Sequence, residues 1–318
     1  MKNSRSCGFR TSIGGQALIE GILMRGPKKQ AIVCRTKDGL VEKTEELKFI
    51  KDKYPVLRWP LIRGCAIFLD SMVKGMQALT YSASLIPIEE QGEPDKLDKW
   101  IEAHFPEDKA QKLIIGVAVV LGIALSLFLF IFLPAAIVGL IKPLTASYFV
   151  RNLSEGLVRV IILLAYMKLC TCVSDVKRLF SYHGAEHKTI RCYEAQLPLT
   201  VENCRGMTRL HPRCGTSFLF VVVMISILLF ALVSAVLPTS NMLVRLVVRL
   251  ALLPFVVAIS YEFNRLVGRH DNWLTRILTA PGMWFQNFTT NEPDDSMLEV
   301  GIEALKLVLP DEAGADRW

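Results

Sequence analysis

Two of the chain's five histidines fall within one short segment, His183-Gly184-Ala185-Glu186-His187. On a helix, positions i and i+4 project from one face, so both imidazoles can reach a single ion. The pattern H-x-x-E-H is the inverted form of a zinc-hydrolase motif. Glu186 stands beside His187, where a carboxylate can take the proton of water acidified by the metal. It is therefore the candidate catalytic base. The expected cofactor is a divalent metal, zinc by this chemistry, although iron or manganese would suit similar donors. A bland reading competes with this one. Gly184 weakens a helix, and histidines next to Lys188 and Arg191 also fit a solvated polar loop.

A third ligand must come from elsewhere in the chain. Glu262 ends an apolar segment, where a carboxylate is costly unless paired, and it is the expected oxygen ligand. An ion pair to Arg265 or plain solvation would also account for it. His211 and Cys214 lie at i, i+3 in the segment HPRCG and are alternative ligands. With His183 and His187 they would close a tetrahedral structural site. Pro212 and Gly215 would equally suit a turn entering a helix. Near the N-terminus, Glu20 and Arg25 in IGGQALIEGILMRGPKKQ could fold behind the ligands as supporting groups, or belong to a solvated loop. His104 and His270 have no partners in sequence.

The elements that must position these residues read as membrane helices. Hydrophobic residues make up 52% of the 318 positions and charged ones 21%, with mean hydropathy +0.36. This excludes a disordered chain, a rod or a collagen-like fibre. Residues 113–141 and 217–244 contain no charge and exceed the roughly 20 residues needed to cross the hydrocarbon core. Residues 156–174 and 245–262 are weaker candidates, because they carry Arg159, Lys168, Arg245 and Arg249. The expected fold is mainly α: a polytopic helical membrane protein of about four spans, at 113–141, 156–174, 217–238 and 245–262. A small α+β region, 1–112, precedes a membrane domain, 113–262, and a C-terminal tail follows, 263–318. Arg245 and Arg249 share a helix face and could line a protein-filled groove.

Lys and Arg concentrate in the first 112 residues, in the 175–216 loop and in the tail. The positive-inside rule puts all three on the cytoplasmic side, with both termini inside. Residues 1–15 lack the apolar core of a secretory signal. The eight cysteines are scattered rather than framed as disulfides, which fits a reducing compartment. In this topology His183, His187, His211, Cys214 and Glu262 converge at one depth, the cytoplasmic interface.

Outside the spans, QAIVCRT and LVEKTEEL around Lys37-Asp38-Gly39 read as a β-hairpin. Residues 59–86 read as an amphipathic helix, with Arg63, Asp70 and Lys74 on one face. It would lie on the inner leaflet or serve as a core helix. Residues 88–112 form a charged linker. Trp273, Trp284 and Phe285 suggest an interfacial segment. Ser296 with Glu299 reads as a capping box opening a terminal helix. Basic pairs such as Lys28-Lys29 and Lys177-Arg178 suit anionic headgroups. The expected partners are the bilayer and a membrane-proximal peptide or lipid substrate. No aromatic-rich basic module points to nucleic acid.

Taken together, IGGQALIEGILMRGPKKQAI, SYHGAEHKTIRCYE, HPRCGTSFLF, YEFNRL and TTNEPDDSMLEV resemble the YqhQ-like family of bacterial membrane proteins. That family is of unknown function and described as predicted metal-dependent enzymes. The resemblance spans nearly the whole chain. It implies a metal and a membrane location, and names no substrate. Three functions follow as expectations: a membrane-embedded zinc hydrolase with Glu186 as base and His183, His187 and Glu262 as ligands; a non-catalytic scaffold around a structural metal; and a small-solute or lipid carrier using Arg245 and Arg249.

Overall fold

A computed structural model of the chain describes residues 9–47, 54–85, 100, 107–141, 147–237, 241–270, 272–312 and 314–317. His104 and most of the expected linker 88–112 lie outside the described residues.

The N-terminal region is a four-stranded antiparallel meander of β1 (Gly14–Leu18), β2 (Gly21–Arg25), β3 (Lys29–Thr36) and β4 (Gly39–Glu46), in the order β1-β2-β3-β4. The expected hairpin is β3–β4, where Thr36 pairs with Gly39 and Gly39 adopts φ 126°. The apolar stretch before it supplies two further strands. They turn tightly at Ile19-Glu20, with Glu20 at φ 51°. β4 is largely exposed and charged, which blunts a free sheet edge.

The sheet buries both faces, following the two-residue period of strands. On one side Ile22, Met24, Ala31 and Val33 pack with Tyr182, Ala185 and Ile190, and with Met297, Leu298 and Val300. These belong to α5 (Ser174–Glu194) and α10 (Asp295–Lys306). On the other side Leu18, Leu23, Ile32 and Cys34 meet Ala78 of α1 (Ile62–Ser84). One core thus joins the N-terminal region, the motif segment and the tail, which are far apart in sequence.

α1 packs one face inward and leaves the other open. Gly64 lies against Ala258 and Tyr261, and Gly75 against Gln16, while Leu69, Met72, Val73 and Met76 stay exposed. Its Asp70 and Lys74 pair at 2.8 Å. The terminal helix is capped by Asp294, whose carboxylate accepts the Met297 N–H at 3.0 Å. Ser296 is inside that helix and Glu299 pairs with Arg35, so the expected capping box does not form.

Among the described residues, three stretches are long and apolar enough to cross a membrane: Leu113–Gly139, Gly215–Val236 and Leu243–Val267. The first runs through α2 (Glu107–Leu127), a π-helical turn at Phe128–Phe132, and α3 (Leu133–Gly139). The other two lie in α7 (Gly215–Val236) and α8 (Met242–Arg269). A fourth candidate, α4 (Tyr148–Cys170), passes only when taken with α5, from which it is bent by 100°. α5 itself carries too many ionisable side chains to cross lipid and packs on the sheet. A short helix, α6 (Val201–Arg205), and α9 (Trp273–Phe285) complete the set.

By packing, the chain divides into residues 1–85, 167–226 and 251–318, and residues 86–166 and 227–250. Within the second unit, charge is buried among apolar helices. Arg245 and Arg249 both bind the Glu155 carboxylate, and Arg249 also donates to Asn152 Oδ1 at 3.1 Å. The shared arginine face seen in the sequence is thus filled by Glu155. Pro134 lacks an N–H, which leaves the Phe130 carbonyl without its helical donor. Arg159 Nε donates to that oxygen at 2.7 Å.

Candidate metal centre

α5 carries three of the site residues on adjoining positions of one face: His183, Glu186 and His187. The helix continues through Gly184 because the tail needs the space there. An added Cβ would collide with the Asn291 carbonyl. Asn291 in turn donates from its N–H to Phe180 O at 2.9 Å and from Nδ2 to Lys177 O at 3.0 Å.

His183, His187 and Cys214 bring their ligand atoms within 4.8 Å of one another. His183 Nε2 lies 3.1 Å from Cys214 Sγ, and the two imidazole centroids are 4.4 Å apart. Each histidine is anchored through its other nitrogen. His183 Nδ1 is 2.8 Å from Thr289 O, and His187 Nδ1 is 2.6 Å from Arg209 O. A carbonyl only accepts, so Nδ1 carries the proton in both rings and each Nε2 lone pair faces the cluster. Cys214 sits one residue before α7. Its sulfur contacts Thr216 Oγ1 at 3.2 Å and accepts the Thr216 N–H at 3.4 Å.

Glu186 completes the group. Its Oε1 accepts the Gly15 N–H at 3.1 Å. Gly15 has to be glycine, since a Cβ would stand 2.7 Å from Leu23 O and 3.0 Å from the Glu186 carboxyl carbon. Glu186 Oε2 and His187 Nε2 are buried with no hydrogen-bond partner. Two unpaired buried acceptors beside a thiol are costly to keep in a neutral core. A divalent cation held by His183, His187 and Cys214 would satisfy His187 Nε2, so the donor set fits the metal that the sequence pattern implies.

Electrostatics agree with a ligand role. Burial lowers the His187 pKa to about 4, so the imidazole is neutral at neutral pH. Burial raises the Glu186 carboxyl to about 7, against the opposing pull of His183. Burial also pushes the Cys214 thiol up, but His187 and the Thr216 donors outweigh it and leave the thiol below its ordinary value.

The other expected ligands go elsewhere. Glu262 is not in the cluster: its carboxylate is bound by Arg63 of α1, Nε to Oε1 at 2.6 Å. Cys214 stands with the two imidazoles instead. His211 is fully buried but serves as support. Its Nε2 donates to Glu194 Oε2 at 3.3 Å, its Nδ1 accepts the Arg213 N–H at 3.4 Å, and burial lowers its pKa to about 4. Burial raises the Glu194 pKa, but the His211 hydrogen bond and charge, Arg213 and the Thr11 N–H together hold it below the usual range. Glu20 reaches α5 one turn away from the cluster, binding Arg178 and accepting from Tyr182 OH at 3.1 Å. Arg25 points under α1, with Nη1 3.5 Å from Ser71 Oγ.

Sequence reasoning did not place Gly15, Thr289, Arg209 or Gln286 at the site; Arg209 reads there as one of the basic residues suited to anionic headgroups. Gln286 accepts the His211 N–H at 2.8 Å and donates at 2.7 Å to both His211 O and Ser217 Oγ. Most of these act through backbone atoms, which no residue type announces. The only available signal was that IGGQ and TTNE belong to the shared segments.

Comparison with known proteins gives the site a family but no activity. Residues 59–311 match the model of a family described as a protein of unknown function, DUF1385. The uncharacterized protein YqhQ of Bacillus subtilis (strain 168) is 32% identical over 304 residues, covering 94% of this chain and 93% of that protein. No solved structure matches. The match over most of the chain and the 32% identity to that relative show that the chain belongs to the YqhQ-like DUF1385 family of unknown function.

Proposed function

We propose that the chain is a multi-pass protein of the bacterial cytoplasmic membrane, with both termini cytoplasmic, and a metal-dependent hydrolase. Its substrate is an amide or ester bond in a peptide segment or lipid headgroup reaching the inner membrane surface. The observation that carries this reading is the set of three convergent donors with two orphaned acceptors, His187 Nε2 and Glu186 Oε2.

His183, His187 and Cys214 would hold the ion. A His-His-Cys set leaves a fourth position open, as catalytic zinc sites do. When bound, zinc supplies Lewis-acid polarisation of a carbonyl and makes water more acidic. The remaining chemistry belongs to the chain. Gly15 fixes one oxygen of Glu186, and the other, buried without a hydrogen-bond partner, would serve as proton acceptor. Thr289 O and Arg209 O fix the imidazole orientations before substrate arrives, so no reorganisation is needed during reaction. Among the donors only His183 is partly exposed, so solvent and substrate would enter from its side.

A second reading draws on how deeply the group is buried. Glu186 could be a fourth ligand to a structural ion in a non-catalytic scaffold. One experiment separates them: metal content of the purified protein and of Glu186→Gln, combined with rescue of a deletion strain. The hydrolase reading expects about one zinc per chain in both proteins, and no rescue by the variant. The scaffold reading expects Glu186→Gln to lose the metal. Wild-type protein without any bound transition metal would sink both.

A further inference from the structure

α9 leaves an apolar face uncovered. Trp273 is 74% exposed and Trp284 51%, and Leu274, Ile277 and Leu278 are exposed between them. At about 100° per residue, Trp273, Ile277 and Trp284 fall within about 40° of arc, and the stripe runs the helix's length of about 20 Å. The opposite side is closed: a Cβ on Gly282 would stand 3.1 Å from Ser217 Cβ. Scattered exposed leucines need no explanation, whereas a continuous stripe with tryptophan at both ends does.

Three observations say what covers it. α9 begins just beyond Val267, the end of the candidate span Leu243–Val267, so it is tethered at a membrane boundary. Phe255, Ile259 and Leu266 on the preceding helix α8 are exposed apolar residues as well. Arg265 and Arg269, in the last turns of α8, suit anionic headgroups. Tryptophan is the residue that favours this depth. The helix start is fixed locally by a reciprocal cap between Asn272 and Thr275, at 2.8 and 3.0 Å, so it needs no other chain to form.

We propose that α9 lies in the headgroup boundary of an anionic bilayer, with Trp273 and Trp284 in lipid. From this seat it carries the segment that fixes the metal centre. Phe285 is buried directly after Trp284, Gln286 bridges His211 and Ser217, and Thr289 O orients His183. The inference rests on the membrane location proposed above and is independent of hydrolysis.

The test uses the full chain in nanodiscs of phosphatidylcholine and phosphatidylglycerol. Trp59→Phe, Trp100→Phe and Trp318→Phe leave Trp273 and Trp284 as the only emitters. The expected emission is blue-shifted, more than halved by lipid brominated near the acyl carbonyl, and little changed by aqueous iodide. That depth corresponds to about 5–10 Å of burial. Quenching by iodide and not by bromolipid overturns the proposal. So does protection from both quenchers, with the chain running as a dimer, because a second copy would then cover the stripe. A chain that stays soluble and enters no nanodisc sinks the membrane location itself. If the triple variant misfolds, a spin label on Ile277→Cys in the otherwise native chain reads the same depth, by collision with oxygen against a water-soluble nickel complex.

Discussion

Replacing Gly184 by alanine sets two effects of opposite sign against each other. In a helix interior alanine is favoured over glycine by about 1 kcal/mol, so α5 alone would gain. The added methyl, however, occupies the position of the Asn291 carbonyl, which is backbone and cannot rotate aside. The 289–291 segment must move away from α5. It then gives up three hydrogen bonds: Asn291 N–H to Phe180 O, Asn291 Nδ2 to Lys177 O, and His183 Nδ1 to Thr289 O. At about 1 kcal/mol each, these outweigh the propensity gain and leave a net loss of about 2 kcal/mol. The third bond also orients a ligand, and losing such a support costs about 10–100-fold in metal affinity. Urea unfolding in detergent, with zinc affinity measured by chelator competition, reads both effects. A Gly184→Ala protein that is more stable than wild type and binds zinc equally well would refute the account of why glycine interrupts the motif.

Other predictions follow from the same contacts. Cys214→Ser and His183→Ala each lower bound metal to well below one per chain, whereas Glu262→Ala leaves it unchanged, because Glu262 is held by Arg63; metal analysis of the three variants checks this. Without metal, Glu186 has a folded pKa of about 7 against 4.5 unfolded. The unfolded state therefore ionises first, and wild type loses about 3 kcal/mol as pH rises from 4.5 to 7, with no further loss above. Glu186→Gln removes this dependence, and denaturation of the two apo proteins across that range should converge at acid pH and diverge at neutral pH. Glu155→Gln leaves Arg245 and Arg249 buried without their carboxylate and costs about 3–5 kcal/mol, read as lower thermal stability in detergent.

Much of this architecture was legible from residue order alone, and the reasons are local. An uncharged stretch as long as 113–141 has few alternatives to a long apolar helix. Alternation around Lys37-Asp38-Gly39 specifies a hairpin, because the period and the turn act within a few residues. The pairing of His183 with His187 is likewise local, set by the helical repeat. What sequence could not decide was which distant group joins them. Glu262 and Cys214 were both plausible third donors. In the structure Arg63, about 200 residues from Glu262, binds that carboxylate, and Cys214 lies with the two imidazoles. β1 and β2 were hidden because both faces of β2 are buried, which erases the polar–apolar alternation that marks a strand. The supports of the site were hidden for a different reason: Gly15 N–H, Thr289 O and Arg209 O are main-chain atoms, identical in every residue. Local periodicity determined the helices, the hairpin and the two imidazoles. Packing of the N-terminal sheet, the segment before α7 and the tail onto α5 decided which group joins the two imidazoles, the orientation of each ring and the burial of Glu186, since these depend on surfaces that meet only after the chain has closed.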